Sequence, residues 1–295
     1  MAYETIAAPL FGGARTRDHI VDRLIAERAP GLAGGAAWPV VRPVLYAILG
    51  YGRARRMADA IAPMSGRDAL AFVSRLLSLR VTVQGKEHIP PVGRFVAVCN
   101  HPTGIADGVA VWDVVTSVRP DLLFYANADA HRVAPGLGQV LIPVEWVESR
   151  RTRARTRVTL ARTRAAMEAE RGLMIFPAGR LARRVAGGGA ADLDWAPSAF
   201  SVARRYAAPV IPMHLAGPWP TLFHLFDGVS GELRDITLFH ELLNKRGKRF
   251  HLIVGAPVMP RDLPVDPGEA AARMRYHVER DLPRRPDRGF TETGA

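Results

Sequence analysis

Short apolar runs separated by longer stretches of helical spacing set the texture of the chain from residue 80 onward. The runs fall at residues 81–83, 95–99, 122–126, 140–144, 174–176, 210–215 and 250–254. Strands that alternate with helices argue for an α/β fold, with a mostly parallel or mixed central sheet flanked by helices. The longest intervening helix is expected over 151–170, where Ala154, Val158, Ala161 and Ala165 share one face and arginines fill the others. Upstream of residue 80 the spacing is helical throughout. Ile20, Val21, Leu24 and Ile25 recur at helix intervals, and further helices are expected over 38–51 and 69–79.

The stretch 36–51 is mostly apolar, yet shorter than the ~20 residues of a membrane-spanning helix, and Pro39, Arg42 and Pro43 interrupt it. The expectation is a helix lying on one leaflet, with Arg53, Arg55 and Arg56 placed to meet lipid phosphates. A core-packing helix followed by a solvated basic turn is the competing reading. The chain thus divides into an N-terminal helical, membrane-surface segment (1–79), an α/β domain (80–260), and a C-terminal helix with a frayed tail (261–295). Gly187-Gly188-Gly189 and the residues to Asp194 read as a mobile loop.

Composition adds charge and compartment to this outline. Forty Lys and Arg against 28 Asp and Glu leave a formal charge of +12, which calls for an anionic partner: nucleic acid, an acidic lipid surface, or a phosphate-bearing or acidic-carrier substrate. Aromatic content of 7%, with no nucleic-acid recognition motif, argues against nucleic acid. The single cysteine, Cys99, excludes an internal disulfide and a cysteine-based metal cluster, so no metal is expected. The opening Met-Ala-Tyr-Glu-Thr has no secretory pattern, which makes a cytoplasmic location the expectation.

Candidate chemistry concentrates at Asn100-His101-Pro102-Thr103-Gly104-Ile105-Ala106-Asp107-Gly108, immediately after the apolar run 95–99. A histidine and a carboxylate at the carboxyl end of a buried strand occupy the edge where open α/β sheets bind ligands. His101 is the candidate base, and Asp107 the group that fixes its tautomer. Asn100, Thr103 and Gly104 shape the turn and are counted among the candidates to meet substrate. Ile175-Phe176-Pro177-Ala178-Gly179-Arg180 ends a second run, with Arg183 and Arg184 just beyond; Phe176, Pro177, Gly179, Arg180 and Arg183 are candidates to meet substrate, and amides near Gly179 to hold an oxyanion. A Cys99–His101 nucleophilic pair is the alternative, because the two share a face of an extended chain. No Gly-x-Ser-x-Gly elbow occurs.

Taken in order, and led by Gln84-Gly85-Lys86-Glu87-His88-Ile89-Pro90, residues 83–258 resemble the glycerolipid acyltransferase family, which includes the lysophosphatidic acid acyltransferases. Glu241-Leu242-Leu243-Asn244-Lys245-Arg246-Gly247 and the run ending Val254-Gly255-Ala256-Pro257 are similar to its hemolysin-like branch and to lyso-ornithine lipid acyltransferases, as are the five residues between His101 and Asp107. The resemblance implies transfer of an acyl group from acyl carrier protein or acyl-coenzyme A to a lysolipid hydroxyl at the inner face of the cell membrane, with no cofactor. Ala178 replaces the glutamate of the Phe-Pro-Glu-Gly pattern, and Val144 stands where glycerol-phosphate users carry an arginine; both point away from lysophosphatidic acid as acceptor. The alternatives are a hydrolase using the same histidine, and an inactive anionic-lipid binder.

Overall fold

Burial of all five residues of Phe95–Cys99 is what a strand covered on both faces requires. In the computed structural model, which describes residues 18–145, 152–185 and 189–292, this strand is β2. The others are β1 (Arg80–Gln84), β3 (Leu123–Asn127), β4 (Leu141–Val144), β5 (Gly172–Ile175), β6 (Arg183–Arg184), β7 (Ala190–Ala191), β8 (Val210–Ala216) and β9 (Arg249–Val254). Seven of them form one sheet in the order β1-β9-β8-β2-β5-β3-β4. All its pairings are parallel except β8 with β9, so β1 and β9 run against the other five. Strands β6 and β7 form a separate antiparallel ribbon.

Side-chain alternation sorts the sheet into two cores. Phe95, Ala97 and Cys99 of β2 and Ile211, Met213 and Leu215 of β8 join a core shared with the N-terminal helices and with the helix Ile105–Val115. Val96, Val98 and Val210 turn to the opposite face, against helices Arg153–Glu168, Ser198–Arg205 and Pro267–Tyr276. The result is three layers, helix on sheet on helix. Every strand expected from the apolar runs is present, each within a few residues of its expected position.

The N-terminal helices share the larger core. Asp22 fastens them, accepting hydrogen bonds from Tyr46 Oη at 2.8 Å and Tyr51 Oη at 2.6 Å, while the two rings stack at 4.2 Å. Burial and the Asp22 charge hold both phenols protonated, well above their ordinary range. The helix expected over 38–51 is present as Trp38–Ile48 and stops before Gly50, which takes a left-handed conformation at φ 65°; a further helix that was not expected, Tyr51–Ile61, follows. No described helix is long and apolar enough to cross a membrane. Past Asp262 the chain forms the expected helix, Pro267–Tyr276, and one further turn, His277–Asp281. Where fraying is expected beyond it, Phe290 is instead buried, its ring 5.7 Å from that of His277. Of the mobile loop expected from Gly187 to Asp194, residues 187 and 188 lie outside the described residues, while the rest is held in place: Ala190–Ala191 form β7 and Asp192 is buried and hydrogen-bonded.

One buried ion pair ties the loop after β8 to the core. Glu241 and Lys245, both essentially fully buried, meet at 2.8 Å. The Glu241 carboxylate also accepts the backbone N–H of Leu222 at 2.8 Å and of Phe223 at 3.3 Å, and the Asn244 amide at 2.8 Å. These partners hold its carboxyl below the ordinary range against the opposing pull of burial. Removing one member leaves the other charge buried, which costs about 3–5 kcal/mol. Lys245→Met should lower the unfolding free energy obtained from urea titration by that order, and Lys245→Met with Glu241→Gln should recover part of the loss; a single variant as stable as the parent would contradict this.

Candidate active site

Strand register decides which residues meet. Val98 of β2 pairs with Ile175 of β5, and Cys99 with Met213 of β8, so the residues following these strands emerge side by side at one edge of the sheet. His101 and Phe176 therefore converge, their rings stacked at 4.5 Å and 29°. Asn100 turns the other way and locks onto β8: its amide nitrogen donates to Leu215 O at 2.9 Å and its oxygen accepts Leu215 N–H at 2.7 Å.

Gly104, at φ 103°, lets the chain double back into helix Ile105–Val115. A β-carbon there would also crowd Leu181 at 3.1 Å. The doubling-back brings Asp107, fully buried in the first helical turn, beneath the histidine, where the helix dipole favours a negative charge. Asp107 Oδ2 accepts His101 Nδ1–H at 2.9 Å, Thr103 N–H at 2.9 Å and Gly104 N–H at 3.1 Å, and Oδ1 accepts the Thr103 hydroxyl. A carboxylate so placed is acceptor-only, so the His101 proton sits on Nδ1 and the Nε2 lone pair is left for the cavity.

That cavity, about 340 Å³ in volume, has His101 and Phe176 in its wall. Most of the remaining wall is apolar and comes from distant parts of the chain: Leu24, Met57, Ile61 and Val73 from the N-terminal helices, Phe124 from β3, Leu137 from the turn before β4, and Phe239 and Leu242 from the short helix Leu238–Leu243. An ion pair, Arg28 to Asp129 at 3.2 Å, sits among them. Sequence reasoning missed this contribution of the N-terminal helices. Their helix-spaced apolar residues were visible, but nothing local says that the face they cover is hollow.

The expected substrate-facing residues divide. Phe176, Gly179 and Arg180 line the cavity, and Arg180 is exposed. Thr103 and Asn100 face inward and support the turn. The carbonyl of Pro177 accepts Ala196 N–H at 3.0 Å. The Gly179 N–H donates to Phe176 O at 3.0 Å, so it is engaged within its own turn rather than free to hold an oxyanion. Arg183 is turned away from the cavity; it pairs with Asp227 and lies over the Phe223 ring at 5.0 Å. Cys99 is fully buried, its thiol pushed up by burial and by the nearby Asp107 and Asp192 charges, and its Sγ donates to Asn100 Oδ1 at 3.5 Å. Such a thiol is a packed small hydrophobe rather than a nucleophile. Among the described residues no group of histidine, cysteine and carboxylate side chains suits a metal ion.

A second carboxylate, absent from the sequence reading, touches the histidine. Asp192 Oδ1 accepts His101 N–H at 3.0 Å and Oδ2 accepts Trp195 Nε1–H at 2.9 Å. No short motif announces it, since 91 residues separate it from His101.

Residues 80–216 match the family model described as Acyltransferase. Two curated proteins, each named a lyso-glycine lipid O-acyltransferase, are similar to the chain: one from Phocaeicola vulgatus, 27% identical over 199 residues, covers 65% of this chain and 69% of its own length. The other, from Bacteroides thetaiotaomicron, is 25% identical over the same share of this chain and 71% of its own length. Among solved structures, the 1-acyl-sn-glycerophosphate acyltransferase PlsC of Thermotoga maritima aligns over 88% of this chain and 96% of its own, with 14% identity and a TM-score of 0.49.

Burial, opposed by its hydrogen bonds to Trp195 and His101, raises the Asp192 carboxyl from 3.8 to about 7. Between those values the folded protein binds a proton that the unfolded chain has released, so Asp192 weakens the fold as pH rises through that window. Melting temperatures at pH 5 and pH 8 should therefore differ less in Asp192→Asn than in the parent; identical pH dependence in the two would contradict this.

Proposed function

We propose that the protein moves a fatty acyl group from an acyl thioester to the hydroxyl of a lysolipid with an amino-acid head group, a reading supported by the match of residues 80–216 to the family model described as Acyltransferase and by the similarity to proteins named lyso-glycine lipid O-acyltransferases. The single observation that carries the reading is an imidazole whose Nδ1 is fixed on a buried carboxylate, while its ring borders an apolar cavity. The relatives are named for a glycine lipid, and lyso-ornithine lipid is one of the two acceptors expected from sequence, the other being a lysophospholipid. The glycine and ornithine head groups both present an amino-acid carboxylate, and Arg180, exposed at the cavity wall, is the cation suited to it.

The chemistry runs in one displacement. His101 Nε2 takes the proton of the acceptor hydroxyl as its oxygen attacks the thioester carbonyl carbon. Asp107 stays ionised and stabilises the imidazolium. The carbon–sulfur bond breaks, and the departing thiolate recovers the proton from Nε2. A thioester already carries a good leaving group, so no covalent enzyme intermediate is needed. The apolar cavity suits the hydrocarbon chain. Either acyl carrier protein or acyl-coenzyme A suits the basic surface, the one being acidic and the other phosphorylated.

The helix Trp38–Ile48 fits a membrane-surface role in the same reading. Val40 is 77% exposed, Val44 61% and Ile48 52%, and Arg42, Arg53, Arg55 and Arg56 lie on the surface around them. Apolar side chains bare to solvent beside arginines match a helix that rests in the headgroup layer of an anionic membrane. The lipid acceptor and the single, reduced cysteine suit the cytoplasmic face.

Two measurements test this. With radiolabelled acyl carrier protein or acyl-coenzyme A and a panel of lyso-glycine, lyso-ornithine and lysophosphatidic acid acceptors, the parent should acylate an amino-acid lysolipid, and His101→Ala should lower kcat on the order of 10²–10⁴-fold. Near-parental transfer by the variant, or release of free fatty acid alone, would overturn the assignment. In co-sedimentation with vesicles rich in anionic lipid, Val40→Glu with Val44→Glu should weaken binding at least about tenfold, each buried valine contributing about 1.5 kcal/mol or more. Unchanged binding would remove this helix from the membrane contact.

A further inference from the structure

We propose that Asp192 is a positioning residue for the catalytic histidine, holding the His101 backbone from outside the turn while Asp107 holds the ring. The inference rests on His101 being the base, as argued above.

The geometry is specific to the backbone. Asp192 Oδ1 reaches the main-chain N–H of His101 at 3.0 Å, and the His101 carbonyl accepts Ala182 N–H at 3.0 Å. Both peptide groups of the histidine are thus gripped by one excursion of the chain, the segment between β5 and helix Ser198–Arg205. Pro102 follows, and the residue before a proline is already confined to extended backbone. With the N–H and the carbonyl both engaged, little torsional freedom is left in the residue that carries the base.

Asp192 is itself anchored from a third place. Its N–H donates to Glu279 Oε1 at 2.6 Å, Glu279 accepts from Arg275 Nε at 3.1 Å, and Arg275 Nη1 reaches Asp194 at 2.8 Å. The C-terminal helical region therefore fixes the loop, the loop fixes the histidine backbone, and the sheet fixes Asn100 beside it. Asp192 is only 2% exposed, and among the described residues it has no cationic ion-pair partner. Its oxygens find two neutral N–H donors, a poor return for a buried charge. That cost, visible in a carboxyl raised to about 7, marks a residue that the packing alone does not call for.

A displacement of about 1 Å in a catalytic group lowers rates on the order of 10²-fold, so loss of the grip should appear in kcat and leave substrate binding alone. The test compares Asp192→Ala, Asp192→Asn and Trp195→Phe with His101→Ala, using the full chain and melting temperature as the check on folding. Asp192→Leu, which fills the volume without an acceptor, replaces the alanine variant should that variant not fold. Asp192→Ala should lose about 10- to 100-fold in kcat with both KM values within about twofold. Asp192→Asn keeps an acceptor oxygen for the His101 N–H and should recover to within about fivefold of the parent. Trp195→Phe leaves the bond to His101 in place and should stay within about threefold. The inference is overturned by a folded Asp192→Ala with kcat within threefold of the parent, by a loss confined to KM, or by an asparagine variant as slow as the alanine one. An active His101→Ala would instead sink the underlying assignment of the base, which separates the two failures.

Discussion

The Asp107 carboxylate is the point on which the candidate site turns. It is wholly buried in the first turn of a helix, and it gathers the His101 ring, two backbone N–H groups and the Thr103 hydroxyl onto its two oxygens. A charge in that position is tolerable only because every partner is supplied by seven consecutive residues and by the favourable end of the helix. The same bonds that stabilise the carboxylate dictate the tautomer of the histidine. Local stability and chemical competence are here the same set of contacts.

Register carries this local device to the substrate. Because β2 lies between β5 and β8, and all three run the same way, the turn after β2 is flanked by Phe176 on one side and clamped through Asn100 to Leu215 on the other. The odd positions of β2 face the layer built by the N-terminal helices, and His101 continues that alternation into the cavity those helices help to wall. The segment before residue 80 therefore has two faces with different tasks. One, with Leu24, Met57 and Ile61, borders the hydrocarbon-suited cavity, and the other leaves Val40 and Val44 bare.

How far the sequence spoke follows from the range of the interactions involved. The central strands β2 and β5 were legible because a doubly covered parallel strand must be apolar throughout, and the His101 to Asp107 pairing was legible because its geometry is closed within one turn. The helix Tyr51–Ile61 was overlooked because Arg53, Arg55 and Arg56 crowd its first turns and mask the apolar face formed by Ala54, Met57, Ala58 and Ile61. The Arg183–Asp227 pair joins residues 44 apart, and the Asp192–His101 bond residues 91 apart. Neither leaves a spacing that can be read along the chain. The cavity was invisible for a related reason: helical periodicity tells which face is apolar, and an apolar face that packs is written the same way as one that stays open.

The most direct test is a crystal structure of the protein with a non-reactive thioether analogue of the acyl donor. The account predicts an acyl chain within the cavity, between Val73 and Phe239, and the carbon that stands for the thioester carbonyl beside His101 Nε2, with Nδ1 still on Asp107. An acyl chain seated outside that cavity, or a histidine turned off Asp107 in the complex, would contradict it.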